Sequence, residues 1–293
     1  MADPAQSGSL LDAAELRLLA DAIRTAMTAA SGNELDRALA DLGWAEMLAD
    51  SPEVAIPTVF RLLGETGAHA SVLVDVLRTA DPTLPPDVPL PFAGGRWVIW
   101  DRSVTGPERP SQPASRAAHR AALLDEELPL RPIRLGGPDG EHLGRISATS
   151  SAAGRRALGW WLLGSGHAML SLARTHALER VQFGRPLASF QAVRHRLAET
   201  LVALDGAEAA LAHADDEFGA LLAKAATGRA ATTAARHCQQ VLGGIGFTAE
   251  HELHRHVRRA LVLDGLLGST RELVREIGNE VRNRGEAPRG ANL

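Results

Sequence analysis

Tyrosine is absent from this 293-residue chain, lysine occurs once, as Lys224, and cysteine occurs once, as Cys238. A single cysteine excludes an internal disulfide framework and a cysteine-based zinc cluster, and it fits a reducing cytoplasm. No apolar run approaches the roughly 20 residues that cross a bilayer, and the amino-terminal residues lack the basic and apolar regions of a signal peptide. The sequence therefore predicts a cytoplasmic protein without a membrane span.

An excess of positive charge is also lacking, because the formal net charge is −4. Without a global positive field, neither nucleic acid nor an anionic membrane is a predicted partner. The hydrophobic fraction of 45% and the charged fraction of 23% are those of a globular protein. The length predicts about two domains.

The amino-terminal part has apolar side chains at helical spacing. The first two sets are Leu16, Leu19, Ile23 and Met27, and then Leu35, Leu39 and Leu42. Ser51-Pro52 is typical of the start of a further helix, with serine before the helix and proline in its first position. Residues 1–80 are therefore predicted to form an N-terminal helical domain.

The middle part, residues 81–146, holds most of the 16 prolines of the chain. Such a density of proline excludes long helices. Arg96–Trp100 and Ile133–Leu135 are the strand candidates, each next to a pair of glycines that supplies a turn. This part is predicted to be a reduced, β-containing segment.

Long helical patterns return from residue 147 to residue 293. The apolar stripes are Leu158, Leu162, Met169 and Leu172 in one helix, and Val193, Leu197, Leu201, Leu204 and Leu211 in the next. An alanine-rich helix is predicted from about Phe218 to Leu242, and a last helix after Thr270. Together they predict a C-terminal four-helix bundle, so the expected fold class is mainly α.

No metal site is predicted. His251-Glu252-Leu253-His254 resembles a zinc-protease helix, but the spacing of that motif would put its second histidine at position 255, where Arg255 stands. A solvated helix start is the better interpretation. Cys238 lies within a predicted helix and is expected to be a buried small side chain.

The stretch from Arg180 to Gln191 is the most informative part of the sequence, because it places a cation, an aromatic ring and two amides at a break between two long helices. Arg180 can bind a pyrophosphate, Phe183 can lie against a planar ring, and Gln191 can bind the edge of a heterocycle. The chemistry alone leaves two alternatives open: a cofactor site, or a helix–helix connector with a chance arginine.

Two sequence blocks resemble the acyl-CoA dehydrogenase family, whose members are flavoproteins with a carboxy-terminal four-helix bundle. The first block reads Arg180-x-Gln182-Phe183-Gly184-x-Pro186-Leu187, followed by Phe190-Gln191, His195 and Leu197-Ala198. The second reads Gln240-Val241-Leu242-Gly243-Gly244-Ile245-Gly246-Phe247. The early segment around Leu42-Gly43-Trp44 also resembles the family. This resemblance covers most of 9–80 and nearly all of 147–277.

The resemblance implies an FAD site that two subunits share. In the family, both blocks reach across a subunit interface to FAD that the neighbour mainly binds. Carried over to this chain, Arg180 would hold the pyrophosphate, and Phe183 and Gln191 the adenine side. Gln240, Gly243 and Gly244 would lie at the ribose–diphosphate region, and Gln182 would supply another polar contact.

The chain departs from the family at the catalytic base. Leu267 occupies the position of the family's catalytic Glu, and the alternative base position of some members falls near Gly154. The nearest acid is Asp264, about one helical turn before Leu267, which makes it the alternative base. Arg258-Arg259 replaces the usual Arg-Asp pair, and the middle segment is too short for the family's β-domain.

These departures resemble the shortened partner subunits of heteromeric α2β2 acyl-CoA dehydrogenases of actinobacterial steroid degradation. The leading hypothesis is a subunit that completes FAD sites, while a full-length acyl-CoA dehydrogenase subunit supplies the catalytic Glu for α,β-desaturation of a bulky acyl-CoA. A second hypothesis is a self-sufficient homomeric flavoenzyme that uses Asp264. A third is a helical interaction module without flavin.

Overall fold

The computed structural model describes residues 13–101, 125, 127–134 and 146–285. Five helices form the amino-terminal part: α1 (Ala13–Ala29), α2 (Asn33–Asp41), α3 (Trp44–Asp50), α4 (Pro52–Thr66) and α5 (Val72–Ala80). Pro52 is the first residue of α4, as the sequence predicts, and Gly67 ends this helix in the left-handed conformation, with φ of 72°.

A small antiparallel sheet follows, made of β1 (Leu90–Phe92), β2 (Arg96–Trp100) and β3 (Leu130–Ile133) in that order. Leu90 pairs with Val98, and Trp100 pairs with Leu130. The prediction of β2 is confirmed. The strand predicted at Ile133–Leu135 has shifted bounds, since β3 starts three residues earlier and ends at Ile133, while Leu135 lies outside the described residues.

The carboxy-terminal part begins with the longest helix, α6 (Ala148–Glu179). The hairpin β4 (Val181–Gln182) and β5 (Arg185–Pro186) and one 3₁₀ turn follow it. The remaining helices are α7 (Gln191–Ala212), α8 (Glu217–Leu242), α9 (Leu253–Gly265) and α10 (Thr270–Arg284). The mainly α fold is confirmed, but the carboxy-terminal part has α9 in addition to the four expected helices.

One hydrophobic core joins the amino-terminal helices, the sheet and the helices α6, α8 and α9. Trp161 of α6 is fully buried at its centre, with ring centroids 5.8 Å from Phe60 and 6.1 Å from Trp100. The helices α4 and α6 cross closely, because a Cβ on Gly64 would lie 2.3 Å from the Trp161 carbonyl oxygen. The division into domains at 1–80, 81–146 and 147–293 stays a prediction.

Leu201 does not lie in the core, contrary to the stripe predicted for α7. It is 43% exposed, whereas Leu204 is completely buried. Each step of four residues turns the side-chain direction by about 40°, so the two steps from Val193 to Leu201 carry Leu201 to the edge of the buried face. Among the described helices, none has the length and apolar character that a bilayer crossing requires.

Candidate functional site

The β4–β5 hairpin places Phe183 at the surface in a strained conformation. Phe183 and Gly184 are the two central residues of the turn and have φ of 54° and 77°. Glycine adopts this region freely, whereas a bulky aromatic residue there is an outlier. The Phe183 side chain is 91% exposed. Strain of this kind, at a residue that packs little within its own chain, is typical of a functional site.

The other predicted side chains of the first block lie around this turn. Arg180, just after α6, is exposed and forms no ion pair with another described residue. The amide of Gln182 donates to the Val181 carbonyl oxygen at 2.9 Å, and Gln191 Nε2 lies 3.4 Å from His195 Nε2. Arg180, Gln182 and Gln191 therefore remain open to a ligand or partner at the surface.

The second block lies at the same end of the bundle. The helices α7 and α8 are joined by a short connection and run antiparallel, as the 3.0 Å contact between Thr200 Oγ1 and His237 Nδ1 shows. The end of α8 therefore returns to the hairpin. Burial lowers the pKa of His176 near the end of α6, and His251 of the α8–α9 connection and Arg180 lower it further.

Gln240, Gly243 and Gly244 provide an open polar edge at this end. Gln240 and Gly244 are exposed, and Gly243 ends α8 with φ of 64°. A Cβ at either glycine would meet nothing within 4 Å. The backbone amides here can therefore be approached closely from outside the chain.

Exposed apolar side chains surround the two blocks. They are Leu178, Val181, Phe183, Ile245 and Phe247, with exposures from 41% to 91%. We call these five residues, with Arg180, Gln182, Gln191, Gln240, Gly243 and Gly244, the bundle-end surface. Apolar groups concentrated in this way mark an interaction site rather than an ordinary solvated face.

The two positions at which the resemblance predicts a catalytic base, Gly154 and Leu267, are in contact. A Cβ on Gly154 would lie 2.5 Å from Leu267 Cδ1, so the leucine side chain packs directly on this glycine. Leu267 is 3% exposed, and its φ of 54° belongs to a turn between α9 and α10. The structure thus brings both positions together, and neither residue has a carboxylate.

Three groups hold this turn in place. The Leu267 backbone N–H donates to the Pro91 carbonyl oxygen at 2.9 Å, and Arg155 Nε donates to the Leu267 carbonyl oxygen at 3.1 Å. Lys224 Nζ donates to the carbonyl oxygens of Asp264 and Gly268, at 2.9 and 2.6 Å. Lys224 is completely buried, and burial lowers its pKa to about 8.

Asp264, the alternative base, is engaged elsewhere. Its carboxylate accepts hydrogen bonds from the backbone N–H and the hydroxyl of Thr270, at the start of α10. A Cβ on Gly228 would lie 2.3 Å from Asp264 Oδ1, so α8 packs directly on this carboxylate. Asp264 therefore supports the turn and is not a lining residue of the adjacent cavity.

That cavity, of about 260 Å³, lies between the sheet and α6, and Leu267 lines it together with Phe92, Trp97, Ser151, Arg155 and Glu272. Glu272 is its lining carboxylate. It accepts from the Gly94 backbone N–H at 2.9 Å and from the Ser269 hydroxyl at 2.7 Å. These hydrogen bonds lower the pKa of Glu272 to about 2, so it is a weak proton acceptor.

Arg259, which stands where the resemblance would predict the Asp of an Arg-Asp pair, has a structural role. It is 2% exposed and donates to the Asp125 carboxylate and to the carbonyl oxygens of Gly67 and Ala68, at 3.1 and 3.0 Å. It therefore ties α9 to the turn after α4 and to the middle segment. Sequence reasoning missed Lys224, Glu272 and the structural role of Arg259, although a lone lysine within an apolar pattern was a usable signal.

The three histidines 251, 254 and 256 do not form a metal centre. His251 Nδ1 accepts from the Leu253 backbone N–H at 3.1 Å, and His256 is buried beside Gly67. Among the residues that the structure describes, no three His, Cys, Asp or Glu side chains are grouped to hold a metal ion. Cys238 is completely buried, and burial raises its pKa to about 12, as fits an inert core residue.

Comparison with known proteins agrees with this geometry. Residues 145–281 match the family described as acyl-CoA dehydrogenase, C-terminal domain. Acyl-CoA dehydrogenase IpdE2 of Mycobacterium tuberculosis is 40% identical over 122 residues, which cover 41% of this chain and 38% of that protein. The match thus spans well under half of the length of this curated relative.

Two solved structures share the fold over almost the whole chain. A variant of the Tcur3481-Tcur3483 steroid ACAD has a TM-score of 0.69 and 18% identity, covering 93% of this chain and 99% of that one. The ChsE4-ChsE5 complex of Mycobacterium tuberculosis has a TM-score of 0.65 and 19% identity, covering 96% and 99%. The chain therefore has the acyl-CoA dehydrogenase fold, and its residues 145–281 match the C-terminal domain of the acyl-CoA dehydrogenase family.

Proposed function

We propose that this chain is the base-less subunit of a heteromeric, FAD-dependent acyl-CoA dehydrogenase of the cytoplasm. It completes the FAD site of a full-length partner subunit, most simply in an α2β2 assembly, and the partner supplies the catalytic Glu. The observation that carries this proposal is the contact between Leu267 and Gly154, because the two positions at which the resemblance predicts a base hold residues that cannot take a proton.

The proposed reaction needs a base that the chain's own cavity does not provide. Bound FAD would accept a hydride from the β-carbon of the acyl chain, and a carboxylate must remove the α-proton at the same time. Leu267 is apolar, and the low pKa of Glu272 makes it a weak base. Asp264 is held by Thr270, which argues against a homomeric enzyme that uses it.

The bundle-end surface has the groups that FAD requires. Arg180 offers a cation for the pyrophosphate, and Phe183 offers a ring face for the adenine. Gln182, Gln191 and Gln240 offer amides, and the backbone at Gly243 and Gly244 is open to close approach. Retention of this set argues against a flavin-free interaction module.

The substrate is proposed to be a bulky, steroid-derived acyl-CoA. Support comes from the solved structures with the same fold, of which one is named a steroid ACAD and another is a complex of two named chains. The chain would contribute to that reaction by binding and orienting the cofactor rather than by moving a proton.

The first test is activity with and without a partner. The separately purified chain should not reduce an artificial electron acceptor in the presence of acyl-CoA. Co-expressed with a full-length acyl-CoA dehydrogenase, it should co-purify as a yellow hetero-oligomer whose activity needs the partner's Glu. Asp264→Asn in that complex should change kcat by less than about ten-fold. Turnover by the isolated chain that Asp264→Asn abolishes would refute the proposal.

The second test is FAD retention in the complex. Arg180→Ala should weaken FAD binding on the order of ten- to a hundred-fold, the usual effect of losing a charge-assisted phosphate contact. Arg17→Ala, at an exposed arginine of α1 away from this end, is the matched control. Arg185 is less suitable because its guanidinium packs 4.2 Å from the Phe190 ring centroid and supports the hairpin. Equal FAD absorbance in the two variants after gel filtration would remove Arg180 from the site.

A further inference from the structure

The charge around the bundle-end surface differs from that of the rest of the molecule. Six arginines lie at or near this end, and all are exposed: Arg174, Arg180, Arg185, Arg194, Arg196 and Arg236. Between residues 174 and 199 the only acidic residues are Glu179 and Glu199. A chain with a net charge of −4 therefore concentrates positive charge at one end.

These arginines are not neutralised within the described chain. None of the six forms an ion pair with another described residue, and Glu199 lies 4.0 Å from His237. The pyrophosphate of a shared FAD would balance only the charge near Arg180. Arg194, Arg196 and Arg236 would remain uncompensated.

From this charge we infer that the partner which covers the bundle-end surface is an unlike protein chain whose contact face is apolar at the centre and acidic at the rim. This inference rests on the proposed function and adds the chemistry of the partner's face. The exposed apolar side chains would supply the buried centre of the contact. The arginines would pair with acidic groups around it and speed the encounter of the two chains.

The same charge disfavours a contact between two copies of this chain. A two-fold contact of the bundle-end surface with its own copy would bring the positive rims of the two chains together. Like charges in this arrangement oppose association unless salt screens them. In a homodimer, the apolar centre would favour association and the positive rim would oppose it. In a heteromer with an acidic partner, both would favour association.

The first experiment measures self-association of the isolated chain by sedimentation velocity at about 0.01 M and about 1 M salt. We expect a monomer at low salt, with any self-association appearing only at high salt. A low-salt dimer that Phe183→Ala dissociates would overturn the inference, because it would show two copies paired through this surface. This experiment needs no partner, so its outcome does not depend on the proposed function.

The second experiment measures the association rate with the co-purifying dehydrogenase by surface plasmon resonance. The triple variant Arg194→Glu, Arg196→Glu, Arg236→Glu should lower the rate by about ten-fold or more at low salt, and the effect should vanish at high salt. The control variant Arg17→Glu, Arg37→Glu, Arg275→Glu makes the same change of net charge at exposed arginines elsewhere and should have less than about a three-fold effect.

The outcomes separate the two proposals. If a dehydrogenase co-purifies but the two triple variants associate equally fast, the acidic-partner inference fails and the proposed function stands. The association rate of the unaltered chain, measured at increasing salt concentration, gives the same information without any substitution. An association rate that does not fall as salt is added also overturns the inference. Tight binding of a nonspecific DNA duplex that requires the same three arginines would overturn it in favour of a nucleic-acid surface.

Discussion

Leu201 and Leu204 lie one turn apart on α7, yet Leu204 is completely buried and Leu201 is 43% exposed. We expect Leu204→Asp to destabilise the fold by several kcal/mol, because it buries an unpaired charge. Leu201→Asp should change the free energy of unfolding by less than about 1 kcal/mol. Urea unfolding of both variants measures the difference, and similar losses would mean that α7 faces the core differently.

Some functional residues could be predicted from the sequence, and others could not. Arg180, Phe183 and Gln240 were identified because each stands in a motif with fixed spacing. Lys224 and Glu272 form hydrogen bonds with carbonyl oxygens and an N–H group that lie at least 40 residues away along the chain, and no local sequence pattern indicates such contacts. The strain at Phe183 could not be read from its motif either, because it depends on the register of the hairpin.

At the scale of elements, the crossing of α4 and α6 depends on glycine. A Cβ on Gly164 would lie 2.1 Å from the Arg61 carbonyl oxygen, which is part of a helix backbone and cannot move freely. We expect Gly164→Ala to destabilise the protein by about 1–3 kcal/mol or more through overpacking. Gly206→Ala in α7 is the control, because a Cβ there meets nothing within 4 Å. It should stabilise the helix by about 0.5–1 kcal/mol.

A thermal melt distinguishes these variants. Equal melting temperatures would show that α4 can move away from α6 and that the close crossing is not required.

Regular periodicity made most helices predictable, and the exceptions have physical reasons. The buried face of α9 includes His256 and Arg259, so its stripe does not look apolar in the sequence. The strand β1 contains Pro91 and β3 contains Pro132, and both strands lie at the edges of the sheet, where a missing N–H is tolerated. α3 has only seven residues, too few to show a period.

At the scale of the whole molecule, stability should depend on pH through two histidines. Burial, and then the charge of Arg259, lowers the pKa of both His69 and His256 to about 4, below the 6.5 of an exposed histidine. At pH values between about 4 and 6.5, these two histidines bind more protons in the unfolded chain than in the folded one. Stability is therefore complete above about pH 6.5 and falls as the pH drops towards about 4.

Urea unfolding at about pH 7.5 and about pH 5 should show a loss of about 2 kcal/mol for each histidine. His256→Gln should make the pH dependence shallower, whereas the same change at the exposed His213 should not. If the free energy of unfolding of His256→Gln depends on pH as steeply as that of the unaltered protein, then folding does not disfavour protonation of this imidazole.

The burial of Lys224 has a practical consequence. Because it is the only lysine of the chain and is completely enclosed, no lysine amine of the folded protein is open to a reagent. An amine-reactive ester should therefore leave Lys224 unmodified in native molecules. Attachment at Lys224 would occur only in molecules that have opened, so mass spectrometry of peptides that contain this residue would measure the opened fraction directly.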